Sequence, residues 1–310
     1  MKAFSTFQMN CARLVLIGCI ITFASNVFAR TIQVNQSGGG DYLTIQEGIN
    51  AASEGDVVLV SPGVYRESVV INKKITLLGS GPEATAIYAN TGSAVTFGRK
   101  SDGSSIIGFS ITSDGEYGIS CSASIGISNN VISGGRNGIY CSSDAAISNN
   151  IILGCGSDGV FSHSTSSTII NNIIADNGGY GVQNSISGII FLPGSSPESP
   201  VVSYNDFWNN AKGERTGNFD IGPGNISKDP LFVNSVMDFR LRNGSPCIDA
   251  GKPGFASLDP DGTRNDMGAY GGPYALSTGI LGPVITELEV SPLIVQQGGT
   301  ITIKAKGKLR

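Results

Sequence analysis

Short apolar bursts, none long enough for a helix, alternate with glycine and asparagine through the middle of the chain. Gly118-Ile-Ser-Cys121 leads to Ile127-Ser-Asn-Asn130-Val-Ile132, and Gly138-Ile-Tyr-Cys141 leads to Ile147-Ser-Asn-Asn150-Ile-Ile152. Gly159-Val-Phe-Ser162 leads to Ile170-Asn-Asn172-Ile-Ile174, and Gly181-Val-Gln-Asn184 opens a further unit. The glycines recur after 20, 21 and 22 residues. A fixed period of this size is the mark of a solenoid. Three bursts per period, rich in Ile, Val and Ser and bounded by Gly, Asn and Asp, predict three short strands per coil. Stacking each strand on its equivalent one period later gives a parallel β-helix with coils ~4.8 Å apart.

This phase assigns directions to side chains. Ile119, Ile139, Val160 and Val182 point inward as an aliphatic file, with Cys121 and Cys141 facing the same way one coil apart; they read as small buried hydrophobes, the alternative being a disulfide, for which parallel stacking gives poor geometry. The Asn pairs mark corners, where one residue adopts a left-handed conformation and the amides form a coil-to-coil ladder. Ahead of the repeats, Thr44 to Ala52 carries Ile45, Ile49 and Ala52 at helical spacing. A short helix there covers the open end of the stack, where unpaired strands would recruit another chain. Beyond Pro283 the character changes. Ile285, Leu288, Val290, Ile294, Val295 and Thr300 to Lys304 read as two or three strands divided by Pro292 and Gly298-Gly299, too few residues to bury a core alone.

The first residues are read as an export signal. Lys2 and Arg13 precede an apolar run from Leu14 to Phe23 and a small-residue cleavage site after Ala29. A competing reading takes Leu16-Ile-Gly-Cys19 as a lipobox with Cys19 lipidated. The domain expectation is a signal peptide over 1–29, a β-helix over 30–275, and over 276–310 a linker with the start of an immunoglobulin-like or sorting module. The mature chain is expected to be secreted or cell-surface, with no transmembrane span, because the apolar run is too short and no second one follows.

Composition narrows the function. Glycine is 43 of 310 residues and charged residues are only 14%, so the chain is turn-rich and has apolar surface to bury. A pI near 5.1 argues against a nucleic-acid partner, which needs a basic surface to displace counterions. No CxxC or Cys/His cluster suggests zinc.

Gly63-Val-Tyr65-Arg-Glu67 resembles the first motif of pectin methylesterases. Asp229-Pro-Leu-Phe-Val233, Asp238-Phe-Arg-Leu241 and Gly244-Ser-Pro-Cys-Ile-Asp-Ala-Gly251, followed by Asp266-Met-Gly-Ala-Tyr270, resemble the last coils of exported bacterial β-helix proteins. Residues 31–275 thus resemble the pectin-lyase-like superfamily, which implies an all-β, right-handed, single-stranded parallel β-helix. The resemblance is weak for chemistry, since a fold does not carry a reaction. The later Asp-Phe-Ile-Phe-Gly and Gly-Arg-Pro-Trp type motifs of the methylesterases do not occur, so Tyr65 and Glu67 read as structural. No paired aspartates of a polygalacturonase are present either.

Outward positions of the first strand in successive coils give a row of Ser120, Tyr140, Phe161 and Gln183, flanked by Tyr117, Asn137, Asp158 and Tyr180 and by Ser122, Ser142 and His163. Aromatic rings stack on pyranose faces while polar groups hold hydroxyls. Tyr117, Asn137, Tyr140, Phe161, Tyr180 and Gln183 are therefore candidate sugar contacts, against the bland alternative of an ordinary solvated sheet. Arg136, Asp158 and His163 are the candidate catalytic groups. Asp259, Asp261 and Asp266 look like the start of a calcium loop, though a structural turn fits the spacing better because the loop's closing Glu is missing. The expected partner is an extracellular acidic polysaccharide or cell-wall glycan. The chain either binds it or cleaves it as a calcium-assisted lyase; the remaining alternative is a surface spacer or adhesin.

Overall fold

The computed structural model describes residues 29–164, 166–185 and 200–275, with the backbone of Val284–Ser291 and Thr302–Lys308. The segment expected to be an export signal, the Pro/Ser-rich stretch before Pro200 and the segment holding Pro292 and Gly298 lie outside the described residues.

The chain winds as a right-handed parallel β-helix with three sheets. The first has nine strands, from Thr31–Val34 to Asp220–Ile221; the second has seven, from Gly63–Tyr65 to Asp206–Trp208; the third has seven, from Val69–Ile71 to Gly213–Thr216. Every neighbour pair within these sheets is parallel, because the chain visits all three before returning one rung higher. Ile119 pairs with Ile139 and Ile139 with Val160, and the file continues to Val182. A second file runs Leu77, Ile106, Ile127, Ile147, Ile169, Val202 on the first sheet. All of these side chains are buried. Each contributes about 1.5–3 kcal/mol by leaving water.

The glycine that opens each repeat is imposed by close approach. A Cβ on Gly138 would lie 2.5 Å from Ile152 Cγ2 and 2.8 Å from the carbonyl oxygen of Gly159 on the next rung. At the corners the two asparagines divide their tasks. The first is left-handed, with φ of 55°, 53° and 61° at Asn129, Asn149 and Asn171. The second builds the ladder: the amides of Asn130 donate to Asn150 Oδ1, those of Asn150 to Asn172, of Asn172 to Asn205, and of Asn205 to Asn225. The first four are fully buried. Each amide also donates to carbonyls at the corner, as Asn150 Nδ2 does to Ile127 and Ser148. Buried backbone that would otherwise lack partners is satisfied in this way.

Helix Ile45–Ala51 closes one end. Thr44 and Glu47 form a reciprocal capping box, and Ile45 and Ile49 are buried. Glu67 supplies a second cap, accepting from the amides of Ile45 (2.8 Å) and Gln46 (3.0 Å). Tyr65 Oη donates to Ser61 O and accepts from the Gln36 amide. The methylesterase-like motif is thus structural here, as the sequence suggests.

The C-terminal motifs add no further coils. After the antiparallel pair Phe232–Asn234 and Asp238–Leu241, the chain turns back along the outside of the solenoid as a strap. Asn129 Nδ2 donates to the carbonyls of Ala269 and Gly271, and Asn149 Nδ2 to those of Asp266 and Gly268. Lys252 N donates to Asn171 Oδ1 and Gly268 N to Asn171 O. Met267, Ala269, Cys247 and Phe232 thereby cover Val131, Ile151 and Ile173, outward residues of the second sheet, as a second apolar core. The expectation of terminal coils is corrected: these motifs lack the period because they pack across rungs. Val284–Ser291 and Thr302–Lys308 pair antiparallel.

Candidate functional site

The outward face of the third sheet lines a groove of ≈ 380 Å³.

 The groove draws on successive rungs: Tyr117, Tyr140, Phe161 and Gln183 come from consecutive strands of the sheet, Asn137 opens strand Asn137–Cys141, and Asp158 lies in the turn before strand Val160–Ser162.

The rings stack on one another. Tyr117 and Tyr140 lie 4.7 Å apart at 17°, and Tyr140 and Phe161 lie 5.8 Å apart at 6°. In-register parallel strands place Tyr140 and Phe161 one rung apart in one row, close to stacking distance, while Tyr117, in register with Asn137, reaches Tyr140 from the flanking column. Tyr140 thus stacks with Tyr117 and with Phe161. Burial raises the Tyr117 hydroxyl above its ordinary value, helped by Glu116 and opposed by Arg136.

Of the candidate catalytic groups, Arg136 and Asp158 line the groove and His163 does not. Arg136 is exposed. Asp158 is only 3% exposed; one of its oxygens accepts from Tyr180 N at 2.7 Å and the other from Asn137 Nδ2 at 3.3 Å. Its carboxylate ties its own rung to the rung on either side. His163 stands edge-on to Phe161 and Tyr140, 5.0 and 5.8 Å away, with Nδ1 at 2.6 Å from Ser185 O. Tyr180 lies beside the groove, its ring 6.0 Å from Lys212 Nζ.

Lys212 and Ser157 also line the groove, and the sequence reading overlooked both. Lys212 follows the interrupted rung, where the insertion before Pro200 hides the period. The register that betrays it is Tyr180 against Gly213. Neither Arg136 nor Lys212 has an ion-pair partner among the described residues.

Asp259, Asp261 and Asp266 act as turn clamps. Asp259 accepts from the amides of Asp266 and Gly272, Asp261 from the amide and hydroxyl of Thr263, and Asp266 from Asp249 N. Desolvation pushes Asp259 up to about 6 and raises Asp266 as well. Among the described residues no group of three or more His, Cys, Asp or Glu could share a metal ion.

The architecture is that of the right-handed parallel β-helix proteins. Within that class, the model of the family described as "Periplasmic copper-binding protein (NosD)" matches residues 33–218, and the chain belongs to this family. Pectinesterase 31 of Arabidopsis thaliana is 36% identical over 74 residues, 21% of this chain and 23% of that protein. Probable pectinesterase 49 of the same plant is 38% identical over 76 residues, 22% and 21% respectively. The matched stretch thus spans under a quarter of either relative. Among solved structures, the pectin methylesterase from carrot is 19% identical with a TM-score of 0.45, covering 65% of this chain and 71% of that one. The Aspergillus niger pectin methylesterase is 14% identical with a TM-score of 0.43, covering 67% and 88%.

The family's description implies copper, which favours imidazole and sulfur ligands. The residues here do not fit it. The chain has one histidine, His163, on the surface and paired to a carbonyl. Cys121, Cys141 and Cys155 are buried in the interior and Cys247 is buried on the inner face of the strap. Their thiols are free, and burial pushes Cys155 up to about 12, away from the thiolate a metal needs.

Proposed function

We propose that the protein is exported and holds a linear acidic glycan along the third sheet, lying across successive rungs, without cleaving it. The observation that carries this reading is the pair of cations, Arg136 and Lys212, on one groove without ion-pair partners among the described residues. A carboxylate on the bound chain takes charge-assisted hydrogen bonds from each. Tyr hydroxyls, Asn137 and Gln183 supply donors and acceptors for the sugar hydroxyls. The family's periplasmic description and the pectin-acting names of the relatives support an exported, carbohydrate-directed role.

Binding is favoured over turnover by the state of the candidate catalytic groups. Asp158 is buried with both oxygens engaged, and His163 stands outside the groove lining. Affinity electrophoresis in gels containing polygalacturonate tests the reading. Retention should be strong at low salt and should weaken as salt rises, and Kd should rise roughly tenfold in the Arg136→Ala/Lys212→Ala double variant. Unretarded migration of the wild-type protein on polygalacturonate and alginate overturns it. Appearance of the ultraviolet absorbance of an unsaturated uronate, with or without calcium, would instead make the protein a lyase.

A further inference from the structure

A second cavity, of ≈ 430 Å³, lies where the last strand of the second sheet meets the segment that begins the strap. Its volume falls in the range of about 300–1,000 Å³ common to small-ligand sites. Trp208, the only tryptophan in the chain, lines it from strand Asp206–Trp208. Asp176 approaches from a left-handed corner with φ of 56°. Asp229, Phe232, Asn234 and Arg242 also line it.

The wall is held in place by its own hydrogen bonds. Arg242 Nε donates to Phe232 O at 2.8 Å, and Asn209 Nδ2 donates to Asp176 Oδ1 at 2.7 Å. Leu231 N donates to Asp229 Oδ1 at 2.9 Å. Each aspartate thus keeps one oxygen that has no hydrogen-bond partner among the described residues. Arg242 has no ion-pair partner there either. Trp208 and Phe232 share the apolar core beneath the strap, so the indole rests on a rigid floor.

We propose that this cavity is a second binding site, taking a neutral pyranose ring of a glycan. The indole stacks against the apolar face of the ring, where C–H groups meet the π-cloud. The two carboxylates accept from sugar hydroxyls, and the guanidinium donates to one. Two carboxylates against one guanidinium leave the lining acidic, which disfavours a uronate by like-charge repulsion. The two cavities therefore differ in sign: the groove on the third sheet selects anionic chain and the Trp208 cavity selects uncharged sugar. They lie on different sheets, so one protein can engage two glycans, or an acidic backbone together with a neutral side branch.

The single tryptophan supplies a local readout. Titrating the full chain with cellopentaose, mannopentaose and galactotetraose should give a saturable blue shift of Trp208 emission with at least one of them. Trigalacturonate should give none, and excess polygalacturonate should leave the shift in place. By calorimetry, Trp208→Ala should weaken the responding sugar by roughly tenfold or more, as expected for loss of a stacking partner. Asp229→Asn, isosteric and at the exposed rim, should weaken it in the same direction and serves if Trp208→Ala fails to fold. No emission change with any of the three neutral sugars overturns the proposal, as does displacement by polygalacturonate or undiminished binding in Asp229→Asn.

Discussion

Asn150 shows how a single side chain can carry several duties. Its side-chain oxygen accepts from the amides of Asn130, and its own side-chain amide donates to Asn172 Oδ1 and to two carbonyls of the corner. Replacing it by alanine strands buried donors and acceptors on two rungs. Asn150→Ala should therefore cost about 1–3 kcal/mol or more, measured by chemical denaturation. Gly138→Ala should cost about 1–3 kcal/mol for a different reason: the added methyl meets the backbone of the next rung, which cannot move without disturbing the sheet. The cysteines offer a third check. Sγ of Cys121 lies 2.6 Å from Sγ of Cys141, both fully buried, and the neighbouring thiol and desolvation raise the Cys141 thiol well above its ordinary value. Cys121, Cys141, Cys155 and Cys247 should all resist maleimide in the native protein and react once it is denatured, as mass spectrometry would show.

The helix cap and the strap are the elements that seal the solenoid, and each depends on carboxylates. Removing the Glu67 carboxylate leaves two helix amides without an acceptor, so Glu67→Ala should cost about 0.5–2 kcal/mol in denaturation midpoint analysis. Under the strap, Asp206 is fully buried, and desolvation pushes its carboxyl up to about 6. It faces the Cys247 thiol, which donates to it at 3.2 Å, and the Lys228 amide at 3.0 Å, with the charges of Lys228 and Asp229 nearby. The folded state thus holds this proton more tightly than the unfolded chain does. The stabilisation is complete below the ordinary carboxyl range and is lost as pH rises through about 6, with Asp259 acting in the same direction. For Asp206 the difference is of order 3 kcal/mol. Melting temperature should fall between pH 4 and 6, a window set by these two groups, and Asp206→Asn should flatten that slope. A Tm that rises steadily across the window would contradict the assignment.

The architecture was readable in the sequence wherever it repeats. The glycines, the Asn pairs and the inward aliphatic residues carry the period, and a strand's neighbours lie one period away, so local spacing encodes long-range pairing. The strap was not readable in this way. Asn129 meets Ala269 across 140 positions of sequence, and those contacts follow no recurring spacing. Even Val131, Ile151 and Ile173, apolar on an outward phase, read as ordinary strand residues when their cover is unknown. The groove was half legible: outward phase gathered Tyr117, Asn137, Tyr140, Asp158, Phe161 and Gln183, but not the mutual stacking of the rings or the arrival of Lys212. Met267→Asp should test the strap as a unit, since a charge placed in its apolar contact should speed proteolysis of residues 245–275 while leaving the β-sheet circular dichroism of the solenoid largely intact.

Sheets built by repetition have no inherent length; a rung gained or lost leaves each neighbour with an equivalent partner. The strap supplies what they lack. It grips the corners at Asn129, Asn149 and Asn171 in fixed order, so it works as a gauge laid against three consecutive windings. Deleting one repeat would keep every sheet pairable yet leave the gauge one notch out of step, and the count of coils is thereby set by a segment that belongs to none of them.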